Sequence, residues 1–136
     1  MVYKTSRREA HVTTRLKAGH ILVVDDDRSI REVIADLLRD QGYDVSVAEN
    51  GAAALDVCRS RPNPDLIFLD LQMPVMDGIE FTRQKNDDPE LSQVPVCVMT
   101  AFRDSASIPS GTAVVLRKPL GSADLLSLAR RFCPDE

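Results

Sequence analysis

The chain has 136 residues, a formal charge of −4, 43% hydrophobic and 4% aromatic residues, and no Trp. That length suits one domain with an aliphatic core, and no apolar run approaches the roughly 18 residues of a membrane span. Three cysteines without CxxC spacing (Cys58, Cys97, Cys133) make an odd set, which fits a reducing cytoplasm better than a disulfide framework. Cys97 is expected in the core, and Cys133, near the C-terminus, is expected as the exposed thiol.

Charge is unevenly distributed. Residues 1–19 carry Lys4, Arg7, Arg8, Arg15 and Lys17 against Glu9, a net +4, which leaves 12 basic and 20 acidic residues, or −8, for the remainder. The basic head lacks the apolar centre of a signal peptide and reads as a flexible extension, a linker or a cloning remnant. A compact domain of net charge −8 is a poor nucleic-acid binder.

In chain order, Ile21 to Val24 is a short β-branched apolar run without alternation, the pattern of a parallel strand buried on both faces. It runs into Asp25, Asp26 and Asp27; Asp27 reads as a solvated surface residue or a helix cap. From Asp27 to Gln41, Ile30, Val33, Ile34, Leu37 and Leu38 form the stripe of an amphipathic helix. Ser29 and Glu32 have capping-box spacing, and Gly42 is a fitting stop. Residues Tyr43 to Ala48 alternate as a half-buried strand with Val45 and Val47 on one face. After the Asn50-Gly51 turn, Ala52 to Ser60 is a short Ala-rich helix.

A second buried strand, Leu66 to Leu69, runs into Asp70, and a loop from Leu71 to Asp77 precedes a helix from about Gly78 to Asn86. Val94 to Met99 is the next strand and ends against Thr100. Ala113 to Leu116 runs through Arg117 into Lys118-Pro119, and Ser122 to Phe132 is the last helix, with Leu125, Leu126 and Leu128 inward. Strands alternating with helices imply a parallel sheet with right-handed crossovers. Ligand sites in such sheets lie beyond the carboxyl ends of the strands. Carboxylates, a hydroxyl and an ammonium therefore gather at one edge.

The residue types suit phosphoryl chemistry. If the strands before Asp25-Asp26 and Asp70 are neighbours, three carboxylates crowd together, and a hard cation such as Mg²⁺ relieves their repulsion. A carboxylate can attack phosphorus. Thr100 and Lys118 can stabilise the transferring oxygens without acting as bases.

From about Gly19 to Phe132 the chain resembles the receiver domain of two-component response regulators. The resemblance rests on Asp25-Asp26, the loop Asp70-Leu71-Gln72-Met73-Pro74-Val75-Met76-Asp77-Gly78, Thr100-Ala101 and Lys118-Pro119. It implies an α/β, flavodoxin-like, doubly wound sheet of five parallel strands in order 2-1-3-4-5, covering residues 20–133. It implies phosphorylation of Asp70 by a sensor histidine kinase or histidine phosphotransfer protein in the cytoplasm. Asp26, Asp70 and the Gln72 carbonyl would bind Mg²⁺, with Asp25 acting mostly through water. Thr100 and Lys118 would contact the phosphoryl oxygens, and the Lys118–Pro119 bond would be cis. Pro74 stiffens the loop presenting Gln72, and Gly78 permits tight entry into the following helix.

Two departures stand out. Between Thr100 and Lys118 the family usually has more residues, and Pro109, Gly111 and three serines disfavour a helix there. The crossover helix, the fourth in the family, is expected to be truncated to about one turn over Arg103 to Ile108, or missing. The place three before the conserved Lys, usually aromatic, holds Val115, so the usual switch and output surface are expected not to work in the usual way. Only four residues follow Phe132, so no output domain is expected, whether the chain is a single-domain regulator or a receiver from a larger sensor. Two other readings compete: a haloacid-dehalogenase-type hydrolase using Asp25 as nucleophile, and a receiver kept only as a binding surface.

Overall fold

The computed structural model describes residues 19–60, 63–73, 75–101 and 108–134. The expected basic extension, Pro74 and most of the expected Arg103–Ile108 turn lie outside the described residues. The elements in order are β1 (His20–Val24), α1 (Arg28–Asp40), β2 (Asp44–Ala48), α2 (Gly51–Ser60), β3 (Leu66–Asp70), α3 (Gly78–Asp87), β4 (Val96–Thr100), β5 (Val114–Arg117) and α4 (Ser122–Phe132). All pairings are parallel, and the strand order is β2-β1-β3-β4-β5. Among the described residues no helix joins β4 to β5, in keeping with a truncated crossover helix.

Alternation along the strands divides the core in two. Ile21 and Val23 of β1, Phe68 of β3, and Cys97 and Met99 of β4 face Ile34, Ala35 and Leu38 of α1 and Leu125, Leu128 and Ala129 of α4. Leu22, Val24, Ile67, Leu69, Val96 and Val98 face Ala54, Leu55 and Cys58 of α2 and Phe81 of α3. β1, β3 and β4 are central and covered on both sides, so their residues are apolar without alternation.

Asp27 is a helix cap, one of its two expected roles, and four local expectations are corrected. The N-cap of α1 is Asp27, whose carboxylate accepts from the Ser29 and Ile30 N–H groups at 3.0 and 3.3 Å. Ser29 therefore lies inside the helix, and Glu32 pairs with Arg28 at 2.8 Å rather than closing a capping box. Val47 is 39% exposed while Val45 is buried, because β2 is an edge strand. Cys133 is buried rather than exposed: it closes over Gly19, where a Cβ would lie 2.7 Å from the Cys133 Cβ. Leu126 packs only at the margin of the core.

Candidate functional site

The site is assembled by strand register. Val24 pairs with Leu69, so Asp25 and Asp70 leave neighbouring central strands at the same level. Asp25, Asp26 and Asp70 each offer a carboxylate oxygen, and these atoms all lie within 4.8 Å of one another. Asp25 is fully buried, Asp70 is buried and Asp26 is exposed at the rim. The cluster is thus open on one side and walled on the other.

Its buried side is organised by hydrogen bonds. The Asp25 Oδ1 accepts from the Asp27 N–H at 2.9 Å, and its Oδ2 accepts from Lys118 Nζ at 3.1 Å. Lys118 Nζ lies 3.7 Å from Asp70 Oδ1, which also accepts from the Gln72 N–H at 3.3 Å. One ammonium is therefore shared between two of three carboxylates. Burial, reinforced by the neighbouring Asp25 charge, pushes the Asp70 carboxyl up to about 6, against the opposing pull of Lys118 and the Gln72 N–H. Burial and like charge at one carboxyl mark these residues as a candidate site for a cation.

Lys118 reaches this position from the end of β5. The pairing of Thr100 with Arg117 continues as a bond from the Lys118 N–H to the Thr100 carbonyl at 2.9 Å, and the Lys118–Pro119 peptide is cis, as expected. Thr100 ends β4 beside β3 and is 2% exposed. The structure thus brings Asp25, Asp26, Asp70, Gln72, Thr100 and Lys118 to one edge of the sheet.

The loop carrying Gln72 is clamped at its far end. Gly78 starts α3 against the acceptor strand: a Cβ there would lie 2.6 Å from the Asp70 carbonyl oxygen. Asp77 caps α3 through the Glu80 N–H at 2.9 Å. The Met76 carbonyl accepts from the Gly51 N–H at 2.8 Å, tying the loop to the start of α2. Val75 takes a φ of +70° and is 85% exposed, an unfavourable conformation for a β-branched residue. Sequence reasoning missed Arg31, whose Nη1 donates to the Asp25 carbonyl at 2.8 Å. An Arg on the polar side of an amphipathic stripe carries no signal that distinguishes it from a solvated one.

A family profile described as the response regulator receiver domain matches residues 21–130. The response regulator MprA of Mycobacterium sp. strain KMS is 40% identical over 125 residues, which cover 85% of this chain and 53% of that protein. MprA of Mycobacterium avium strain 104 is 39% identical over the same shares. The chain spans about half the length of these relatives. Among solved structures, the signal receiver domain of a signal transduction histidine kinase from Syntrophus aciditrophicus has a TM-score of 0.77 at 31% identity, covering 85% of this chain and 90% of that one. The receiver domain of sensor histidine kinase PA1611 from Pseudomonas aeruginosa PAO1, solved with a magnesium ion coordinated in its active-site cleft, has a TM-score of 0.77 at 28% identity, covering 85% and 98%.

Proposed function

The chain belongs to the response regulator receiver family of two-component systems, and on that premise we propose that Asp70 accepts one phosphoryl group from a phosphohistidine donor in an Mg²⁺-dependent transfer. The donor would be a sensor histidine kinase or a histidine phosphotransfer protein, and the compartment the cytoplasm. We assign the receiver unit to residues 20–133 and a basic extension to residues 1–19. The chain would catalyse only its own phosphorylation and dephosphorylation. The observation that carries this reading is the convergence of three carboxylates within 4.8 Å beside Lys118.

The donor set fits Mg²⁺. It consists of hard carboxylate oxygens with no nitrogen or sulfur ligand among them, and its open rim leaves room for the waters that Mg²⁺ retains. Asp26, Asp70 and the Gln72 carbonyl would hold the ion, with Asp25 acting mostly through water. When bound, the ion supplies positive charge against the phosphoryl oxygens.

The residues divide the rest of the work. An Asp70 oxygen attacks phosphorus and forms the new O–P bond, while the P–N bond of the donor breaks and its electron pair stays on the imidazole nitrogen. Lys118 pairs with one phosphoryl oxygen as a point charge, and the Thr100 hydroxyl donates to another. Neither has to carry a proton, since such transfers depend on positioning and electrostatics. Burial of Asp70 holds its attacking oxygen in a poorly solvated place, so little water has to be removed.

Intact-mass measurement with a small acyl phosphate and Mg²⁺ tests this reading. The wild-type chain should gain one phosphoryl group, and neither Asp70→Asn nor wild type in excess chelator should gain any. A continuous release of inorganic phosphate without a stoichiometric adduct would contradict it and favour a hydrolase.

A further inference from the structure

Asp25 has four polar groups at the site, and all four are held. Its N–H donates to the Ala48 carbonyl at 3.1 Å, its two carboxylate oxygens take the Asp27 N–H and the Lys118 ammonium, and its carbonyl takes Arg31 Nη1. The first three contacts fix Asp25 itself. The fourth acts on its neighbour, because that carbonyl belongs to the peptide joining Asp25 to Asp26. The plane of this peptide sets the direction in which the Asp26 side chain leaves the backbone. Asp26 is exposed at the rim, so packing does little to aim its carboxylate toward Asp70.

We propose that Arg31 is a positioning residue for the acidic cluster: by holding the Asp25–Asp26 peptide from α1, it aims Asp26 into the cation site. This rests on the Mg²⁺-dependent reading above and deepens it. Two effects of the guanidinium oppose each other. Its positive charge at the Asp25 carbonyl disfavours a nearby cation, but Arg31 is only partly buried, and solvent and salt screen that charge. Its hydrogen bond orients a ligand-bearing peptide, and partners of this kind typically alter metal affinity by about 10- to 100-fold. Orientation therefore outweighs repulsion.

Nature supplies an internal control on the same helix. Arg39 donates through Nη2 to the Val45 carbonyl at 2.9 Å, the same kind of bond from α1 to a backbone carbonyl, made away from the acidic cluster. A merely structural role for such bonds would make the two arginines equivalent.

The experiment titrates Mg²⁺ into the whole chain without any phosphoryl donor, comparing wild type with Arg31→Gln, Arg31→Lys and Arg39→Gln. Arg31→Gln should weaken Mg²⁺ binding about 10-fold. Arg31→Lys, which keeps a donor but loses the fork, should recover part of that loss, and Arg39→Gln should match wild type. With a small acyl phosphate, whose size removes any role in donor docking, the Mg²⁺ concentration for half-maximal phosphorylation should shift by the same factor. The rate at saturating Mg²⁺ should stay near wild type. Equal or tighter Mg²⁺ binding by Arg31→Gln, or equal weakening by Arg39→Gln, would overturn the inference. Should Arg31→Gln fail to fold, Arg31→Lys decides: wild-type affinity in that variant would overturn the inference, and weakened binding supports it. The two proposals fail separately. A wild type whose Mg²⁺ binding depends on Arg31 yet which takes up no phosphoryl group defeats the phosphorylation reading alone.

Discussion

Asp70→Asn should make the metal-free protein more stable above pH 6 by about 2 kcal/mol, a little less than the full two-unit displacement of its carboxyl would imply at 1.36 kcal/mol per unit. The cause is the arrangement of charge. Asp70 is buried, and among the described residues three carboxylates face one ammonium, so its carboxyl is pushed up to about 6 from an ordinary value of 3.8. The folded state therefore binds this proton more tightly than the unfolded chain does. For a group displaced in this direction, the contribution to stability is complete below about pH 4 and is lost as pH rises through about 6. Wild type should thus lose stability between pH 4 and 7, and Asp70→Asn should not. At pH 4 the two should agree. Mg²⁺ should restore the wild type at pH 7.5 while changing the variant much less. Urea unfolding at the two pH values, with and without Mg²⁺, measures all four quantities. A variant less stable than wild type at pH 7.5 without metal would contradict the electrostatic account.

The second large effect is expected at Gly78. A Cβ placed there lies 2.6 Å from the Asp70 carbonyl oxygen and 2.8 Å from the Leu71 Cα, both backbone atoms. Neither can turn aside, so Gly78→Ala must move the start of α3 or the end of β3. Forced shifts of this kind cost about 1–3 kcal/mol. The functional loss should exceed the stability loss, because the strand end that moves carries the acceptor, and a displacement of about 1 Å can cost about 100-fold in rate. Gly121→Ala serves as the comparison: its Cβ meets Asp124 Oδ2 at 3.5 Å, an ordinary contact. Phosphorylation rates and unfolding midpoints of the two variants should separate clearly. Equal behaviour would mean that the Gly78 contact does not set the acceptor position.

Most of the architecture was legible in the sequence because the three central strands are apolar on both faces, and that pattern excludes a solvated sheet. The site was legible for a related reason. In a parallel sheet, residues at strand ends are brought together by register, so Asp25, Asp70, Thr100 and Lys118 could be placed without knowing a single distance. Errors came where a rule depended on context. Cys133 looked exposed from its place in the chain, yet the helix before it returns to the bottom of the sheet and closes over Gly19. Val47 looked buried from alternation, but the far side of an edge strand has less to pack against. Ser29 and Glu32 matched a spacing rule, and Asp27 took the cap because its carboxylate reaches two N–H groups at once. Arg31 was illegible because its partner is a backbone carbonyl, which no side-chain pattern reports.

In the proposed function, the residues expected to carry signal output differ from those that would take up the phosphoryl group. Among the described residues no helix joins β4 to β5, and Val115 stands where the family's switch aromatic usually does. Uptake of the phosphoryl group needs neither feature, so the chemistry at Asp70 is expected to be ordinary even where the route away from it is not.

The most direct measurement is the position of the phosphoryl group itself. Wild-type chain treated with a small acyl phosphate and Mg²⁺, then reduced with borohydride, converts an aspartyl phosphate to homoserine at the residue that carried it. Peptide mapping should find homoserine at position 70 and at no other aspartate. Homoserine at position 25, or none anywhere, would contradict the assignment of Asp70 as the acceptor.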